Sequence, residues 1–232
     1  MPISDSDSVR SLPLFSGMDQ RNFEKLMQAT FLQRFPAQLV MIREGDSADF
    51  LHVVIEGSID FFAEHAGRET SLWIARPYAT FILAAVMRDE VYLHSARTLE
   101  TSRILMIPAK AVREAFDSDP VFARATVQEL AARYRGVVKD LKNIKLRPSL
   151  ERLANWLLRR NINAGAQGRF EIPFDKKTLA SHLGMTPENL SRNFASLQAY
   201  GVEMNSKEIT LRDVASLTRL AKPNRLIDDP DS

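Results

Sequence analysis

The sequence predicts an α+β fold in three parts: an N-terminal antiparallel β-roll over 1–119, a long dimerisation helix over 120–147 and a C-terminal winged helix-turn-helix over 148–232. Three observations predict it. Short apolar runs separated by turn signals recur about every ten residues in the first half. The apolar period then changes from strand-like to helical near Asp119, and a helix, tight turn, helix and hairpin pattern follows from Asp175 to Leu211. The chain has 232 residues, 45% hydrophobic and 26% charged, enough to bury a core and too mixed for wholesale disorder or a coiled-coil rod. It contains no cysteine, which excludes a disulfide framework, a Cys-type zinc finger, a cysteine-held iron–sulfur cluster and a thiol redox switch.

Met1 to Ser8 is polar and acidic, and the first few residues read as a frayed tail. No apolar run approaches the roughly 18 residues of a membrane span, and no targeting signal is evident, so the expectation is a cytoplasmic protein without a membrane partner. Asp19 to Thr30 carries Phe23, Leu26 and Met27 at helical spacing. The strand runs are Leu39 to Ile42, Leu51 to Ile55, Ser58 to Phe62, Thr70 to Ile74, Ala96 to Thr98 and Arg103 to Ile107. Glu44-Gly45-Asp46, Glu56-Gly57-Ser58 and His65-Ala66-Gly67-Arg68 supply turns between them. Repeated short strands at this spacing argue for a sandwich or roll.

Asp119 is placed to cap the next helix, with Pro120 in its first turn. Ala123, Val127, Leu130, Tyr134, Val137, Leu141 and Ile144 then recur at spacings of 4, 3, 4, 3, 4 and 3, a heptad seam flanked by Arg133, Arg135, Lys139 and Lys142. Such a stripe meets either a copy of itself or the strand domain of its own chain, and one seam can serve both in part. Val127, Leu130, Tyr134, Val137, Leu141 and Ile144 are the candidate dimer contacts. Pro148 ends the helix, Ser149 is placed to cap another running through Leu153 and Trp156 to Arg160, and Gly168 to Phe174 reads as an edge strand.

A formal net charge of +2 conceals a polarity. Residues 1–119 carry 12 Lys and Arg against 17 Asp and Glu, a net −5, while residues 120–227 carry 19 against 9, a net +10. A basic second half is the footprint of a phosphate-binding end, or else a solvated basic helix surface. Asp175 to Leu197 bears on that choice. Asp175 caps a first helix with Leu179, Ala180 and Leu183 facing inward, and Gly184 supplies a left-handed stop. Thr186 caps a second helix with Pro187 at its first position and Leu190, Phe194 and Leu197 inward. Glu188, Ser191, Arg192 and Ser196 are left outward near its start, and together with Thr186, Asn189 and, at the start of the first helix, Lys176 and Lys177 they are the candidate DNA contacts. Arginine offers two donors to guanine, glutamate accepts from the cytosine amino group, and serine bonds to base or phosphate. Gly201 ends the second helix, and Val202 to Leu211 has the alternation of a hairpin wing. A plain two-helix hairpin is the alternative, and the wing, seam and charge split weigh against it.

From about Leu12 to Leu211 the chain resembles the Crp/Fnr family of bacterial transcription regulators. The Glu44-Gly45-Asp46 and Glu56-Gly57-Ser58 turns resemble those of the cyclic-nucleotide-binding roll, a double-stranded β-helix, and the long helix and winged helix follow in order. Glu188-Asn189-Leu190-Ser191-Arg192 is similar to the E-x-x-S-R pattern of the Fnr side, in which the glutamate, serine and arginine contact bases. The resemblance implies a homodimer on double-stranded DNA, a palindromic operator with TTGAT-like half-sites, RNA polymerase as a partner, and no enzymatic activity. The cysteine-free sequence is similar to the nitric-oxide-responsive denitrification regulators.

The sensor departs from the cyclic-AMP receptors. Their F-x-G-E-L and R-S-A cassette is replaced by Phe81-Ile82-Leu83-Ala84-Ala85 and His94-Ser95-Ala96, so Leu83 stands for the glycine, Ala84 for the ribose-binding glutamate and His94 for the phosphate-binding arginine. A cyclic phosphate loses charge-assisted bonds of roughly 1.5–3 kcal/mol each, and cyclic AMP is not the expected effector. Phe81, Ile82, Leu83, Ala84, Ala85, His94 and Ser95 are the candidate effector pocket. Haem, another small molecule and no ligand at all stay open. His94 and His52 are the foremost haem candidates and His65 a third, set against ordinary turn, strand and loop roles, while Met41, Met87 and Met106 read as core filler. A cupin-like binding protein or metal-dependent enzyme is the competing class. Metal cupins need several histidines and a carboxylate converging inside the barrel, and His52, His65 and His94 are not compactly spaced.

Overall fold

The six short apolar runs become strands, joined by two that were not expected, Phe31–Phe35 and Thr80–Phe81, to give eight antiparallel strands in a computed structural model that describes residues 3–172 and 174–229. They are β1 (Phe31–Phe35), β2 (Val40–Ile42), β3 (Phe50–Glu56), β4 (Ile59–His65), β5 (Arg68–Ala75), β6 (Thr80–Phe81), β7 (Ser95–Thr98) and β8 (Ser102–Pro108). One sheet has the order β1-β8-β3-β6 and the other β2-β7-β4-β5. Leu51, Val53, Ile104 and Ile107 of the first sheet share one buried cluster with Ile59, Phe61 and Ala96 of the second, so burial of both inner faces holds the roll closed. Gly57 makes the β3–β4 turn possible. Its backbone is left-handed (φ 89°), and a Cβ there would lie 2.2 Å from Ser102 Oγ and 2.8 Å from Ser102 Cα.

The helices around the roll are α1 (Ile3–Arg10), α2 (Gln20–Gln28), α3 (Leu83–Arg88) and α4 (Ala109–Ser118), followed by the long α5 (Pro120–Leu146). Where a frayed tail was expected over the first few residues, the chain is helical from Ile3, and Met1 and Pro2 lie outside the described residues. Its anchor is downstream: Val9, Leu12, Leu14 and Phe15 join the core, and Arg10 donates to the carbonyls of Phe15 and Met18 at 3.1 and 2.6 Å. Asp119 joins three helices. One carboxylate oxygen accepts the Val121 and Phe122 amides at 3.0 Å each, capping α5, and the other accepts the Asp19 amide at 2.8 Å and Asn22 Nδ2 at 3.2 Å, holding the start of α2 beside the end of α4.

The chain divides into two compact units, residues 1–133 and 134–232, with the division inside α5. In the second unit α5 breaks at Arg147-Pro148, and α6 (Ser149–Asn163) starts directly at Ser149. Pro148, extended at ψ 154°, takes the capping position without a side-chain bond, and the Ser149 hydroxyl instead accepts from Asn189 Nδ2 at 3.4 Å. Then come β9 (Arg169–Glu171), α7 (Lys176–His182), α8 (Pro187–Leu197), a 3-10 turn at Gln198–Tyr200, β10 (Val202–Asn205), β11 (Glu208–Leu211), α9 (Val214–Ala221) and α10 (Arg225–Asp228). The small sheet has the order β10-β11-β9, which makes β9 the expected edge strand, although Pro173 of that prediction lies outside the described residues. Leu153, Leu157, Leu179, Leu190, Leu197 and Leu217 are fully buried and form the interior. No helix of the described residues is long and apolar enough to cross a membrane.

Candidate nucleic-acid interface and effector cavity

The second unit builds the predicted helix-turn-helix from local signals. Asp175 Oδ1 accepts the Thr178 amide at 2.7 Å and starts α7. Gly184 takes φ 62°, and its amide and that of Met185 return to Ser181 and Ala180 at 2.9 Å each. Thr186 Oγ1 accepts the Asn189 amide at 3.2 Å and Pro187 occupies the first turn of α8. With Leu190, Phe194 and Leu197 buried, Glu188, Ser191, Arg192 and Ser196 stand exposed on the opposite side of α8, as do Thr186, Lys176 and Lys177. Asn189 is only half-exposed, and its amide points to Ser149 of α6. Ser191 and Ser196 hydroxyls donate to the carbonyls of Pro187 and Arg192 at 3.0 and 3.1 Å.

The Glu188 carboxyl is held below the usual carboxylate range by its own backbone amide, then by Thr186 and by the charge of Arg192. It is therefore an ionised acceptor beside an arginine donor in the first two turns of the helix. Between α8 and the wing lies a groove of about 190 Å³ lined by Lys176, Ser191, Phe194, Ala195, Gln198, Val202 and Met204. Gln198 was not singled out from the sequence because it falls in the 3-10 turn that carries α8 on to Gly201. The wing strands pair in register from Val202 with Leu211 to Asn205 with Glu208, and Arg212 meets Glu203 across its base.

The apolar seam of α5 behaves in two ways. Leu130 is half-buried against the roll core, whereas Val127, Tyr134, Val137, Leu141 and Ile144 are exposed in the single chain, from 49% at Ile144 to 71% at Tyr134. Five large apolar side chains at heptad positions on one helix form a stripe that water alone does not satisfy.

In the first unit a cavity of about 210 Å³ is lined by Phe81, Ile82, Leu83, Ala84, Ala85 and His94, as expected. Trp73, Thr80, Leu93, Glu129, Leu130 and Arg133 complete it. These come from β5, β6, a loop and α5, elements far apart in the sequence, where Leu130 and Arg133 read only as part of the α5 seam and its flank. Ser95 lies outside the lining: its hydroxyl accepts the Glu44 amide at 3.0 Å. The floor is aromatic, with Phe61 stacked on Trp73 at 4.2 Å and edge-on to Phe81 and His94 at 5.0 Å each. Its polar groups already serve one another. Thr80 Oγ1 donates to Glu129 at 3.1 Å, Arg133 donates to Glu129 and to the Thr80 carbonyl at 3.0 Å each, and the Arg133 guanidinium sits 5.0 Å from the Trp73 ring.

Leu83, Ala84 and His94 all line this cavity, and burial holds the His94 imidazole below the usual histidine range, hence neutral near pH 7. His94 is a neutral imidazole on the wall whose Nδ1 makes no hydrogen bond of good geometry, and the cavity volume falls below the roughly 300–1,000 Å³ typical for drug-sized ligands. His52 is buried behind Phe81, stacked flat on it at 4.8 Å, and does not line the cavity. His65 is exposed at the end of β4. Among the described residues no group of three or more His, Cys, Asp or Glu could hold a metal ion, so the converging ligands a metal cupin needs do not assemble.

Comparison with known proteins gives two domain matches: a cyclic nucleotide-binding domain at residues 32–119 and a Crp-like helix-turn-helix domain at residues 151–220. The transcriptional activator protein FnrA of Stutzerimonas stutzeri is 24% identical over 186 residues, covering 78% of this chain and 76% of that protein. The structure of FixK2 from Bradyrhizobium japonicum superposes with a TM-score of 0.74 at 18% identity, over 84% of this chain and 98% of that one. A Crp/Fnr-family regulator from Eubacterium rectale gives a TM-score of 0.74 at 20% identity, over 91% and 99%. These structural likenesses show the fold. The domains and the curated relative are those of transcription regulators rather than enzymes, and the chain belongs to the Crp/Fnr family of DNA-binding transcription regulators.

Proposed function

We propose that two copies of this chain pair through the exposed stripe of α5 and bind a palindromic DNA duplex with TTGAT-like half-sites, under control of a small, uncharged and largely apolar effector. The observation that carries the DNA reading is the placement of Glu188, Ser191 and Arg192 together on the exposed side of α8, behind a fully occupied inner face. Arg192 donates to the O6 and N7 of guanine, Glu188 accepts from the cytosine amino group, and Ser191 reaches a base or phosphate. Lys176 and Lys177 meet the backbone and make affinity salt-dependent without choosing sequence. The heptad stripe supports the dimer, and two-fold symmetry in the protein asks for two-fold symmetry in the operator.

The effector reading follows from the cavity lining. A charged ligand finds Glu129 and Arg133 already paired and His94 neutral, while Phe81, Leu83, Trp73 and Leu93 offer apolar surface. Since Glu129 and Arg133 belong to α5, a ligand that separates them from Thr80 and Trp73 biases the long helix. The test is selection of duplexes from a random pool with the full chain at fixed salt, followed by titration of the winners. Enrichment of inverted TTGAT-like repeats is the expected result. Enrichment of single or unrelated sites would overturn the operator.

A further inference from the structure

We propose that Asp228 is a positioning residue for DNA binding: by gripping Arg147 at the joint between α5 and α6, it fixes the direction in which α6 carries the helix-turn-helix away from the long helix. The inference rests on the reading that two copies bind paired half-sites. Asp228 lies beyond the matched helix-turn-helix domain, which ends at residue 220, and on α10 rather than on the helix that faces DNA.

Arg147 is the residue before Pro148, where the helical backbone breaks, and it is only 7% exposed. Its guanidinium grips Asp228 at both ends, Nη1 to Oδ1 at 2.8 Å and Nη2 to Oδ2 at 2.5 Å, and Nη1 also donates to Asn143 Oδ1 of α5 at 3.1 Å. Oδ1 of Asp228 takes a second cation, Arg159 of α6, at 3.3 Å, and Oδ2 accepts the Asn224 amide at 2.7 Å. One carboxylate therefore holds the end of α5, the joint and the second half of α6. Lys139 Nζ donates to the Asp229 carbonyl at 2.7 Å and seats α10 against α5.

A second arginine extends the run. Arg152 Nη1 donates to the Arg147 carbonyl at 2.7 Å, while its Nε and Nη2 donate to the carbonyls of Leu183 and Gly184 at 2.9 and 3.0 Å. Those two carbonyls belong to the turn between α7 and α8. A continuous set of hydrogen bonds thus leads from α10 through the joint to the turn that aims α8. A bidentate arginine–carboxylate pair sets angle as well as distance, and removing one buried partner strands the other's charge. A loosened joint would leave each α8 able to read its own half-site but would blur the separation between two of them.

The chain has no native cysteine, so Arg135→Cys on α5 and Glu171→Cys on β9 supply the only thiols for paired spin labels. Labelled chain is diluted with unlabelled chain to isolate distances within one copy. The expected result is one narrow distance in the native sequence, a broadened or shifted one in Asp228→Asn, and recovery in Asp228→Glu. In parallel, full-length protein is titrated with duplexes carrying two selected half-sites at the preferred spacing, at one base pair more or less, and with a single half-site. Asp228→Asn should lose about 10-fold on the preferred duplex, flatten the spacing preference and change single-half-site binding less than about 2-fold. Circular dichroism verifies that the variant is folded. Arg159→Gln, which leaves Arg147 paired, should show the same changes at smaller size and serves if Asp228→Asn does not fold. Unchanged distances and spacing preference in the folded variants would overturn the proposal, as would an equal loss on every duplex that tracks loss of folded protein. If the native chain itself ignores spacing, the paired-half-site reading fails, and the label distances still decide whether Asp228 holds the joint.

Discussion

In residues 1–133 the interior histidine His52 lies flat against Phe81, only 2% exposed and neutral, whereas in residues 134–229 the interior arginines Arg147 and Arg152 are met by a carboxylate and by main-chain carbonyls. The first unit leaves this histidine among rings with no charge beside it, its buried carboxylates Asp60 and Asp119 being met elsewhere by Arg97 and by amides, while the second sets two arginines inside and presents more charge outside on Lys176, Lys177 and Arg192. The contrast teaches how two binding problems separate. An apolar cavity selects a ligand by what it refuses to solvate, while a surface helix selects DNA by the donors and acceptors it keeps in fixed directions.

The comparison breaks first if the second unit does not act as a pair. Leu141→Glu puts a charge in the exposed stripe and should weaken self-association by about 3 kcal/mol or more, the scale for an uncompensated buried charge, as read by sedimentation. Leu130→Glu is the poorer test, since Leu130 also packs on the roll. An unchanged dimer in Leu141→Glu would move the interface elsewhere. Next comes Arg192→Ala, with an expected loss of about 1–3 kcal/mol on the selected duplex at fixed salt and relaxed choice at one base pair. Equal loss on scrambled duplex would remove Arg192 from base reading.

Acid sharpens the contrast between units. Burial, opposed only by the Phe50 backbone, lowers the His52 pKa from 6.5 to about 3, so below pH 6.5 the unfolded chain binds a proton that the folded roll refuses. Stability of the first unit is full above that pH and falls toward pH 3 with a slope approaching about 1.4 kcal/mol per pH unit. His52→Phe should flatten this slope in urea titrations between pH 6.5 and 5, and an unaltered slope would acquit His52. For Asp228, burial raises the carboxyl pKa, but hydrogen bonding to Arg147 and the Asn224 amide, with the charges of Arg147 and Arg159, outweighs it and leaves the value lowered. Its contribution is present above the ordinary carboxylate value of about 3.9 and is lost only as pH falls below it. The two units should part company between these windows. The smallest effect is Thr186→Ala, which removes the α8 cap and should lower thermal stability by about 1 kcal/mol without altering base choice.

Signals carried by neighbouring residues were legible in the sequence. Asp175, Gly184, Thr186 and Pro187 are local punctuation, and the structure uses each where its chemistry suits. The cavity was half legible, because Phe81 to Ala85 sit in one stretch while Trp73, Glu129 and Arg133 reach it only through sheet pairing and the passage of α5. Ser95 and Asn189 show the limit from the other side, since a polar residue next to a site in sequence can turn away to satisfy a neighbouring amide or hydroxyl. α9 and α10 were not predicted, although Asp213 and Asn224 cap them in the ordinary way. Eight and four residues make too short a period to read without their packing on α5 and α6.

Arg152 holds the turn before α8 through carbonyl oxygens, which every amino acid supplies. That grip is indifferent to what the recognition helix spells. Glu188, Ser191 and Arg192 can therefore be rewritten, by drift or by an engineer seeking a new operator, without dismantling the mount that aims them.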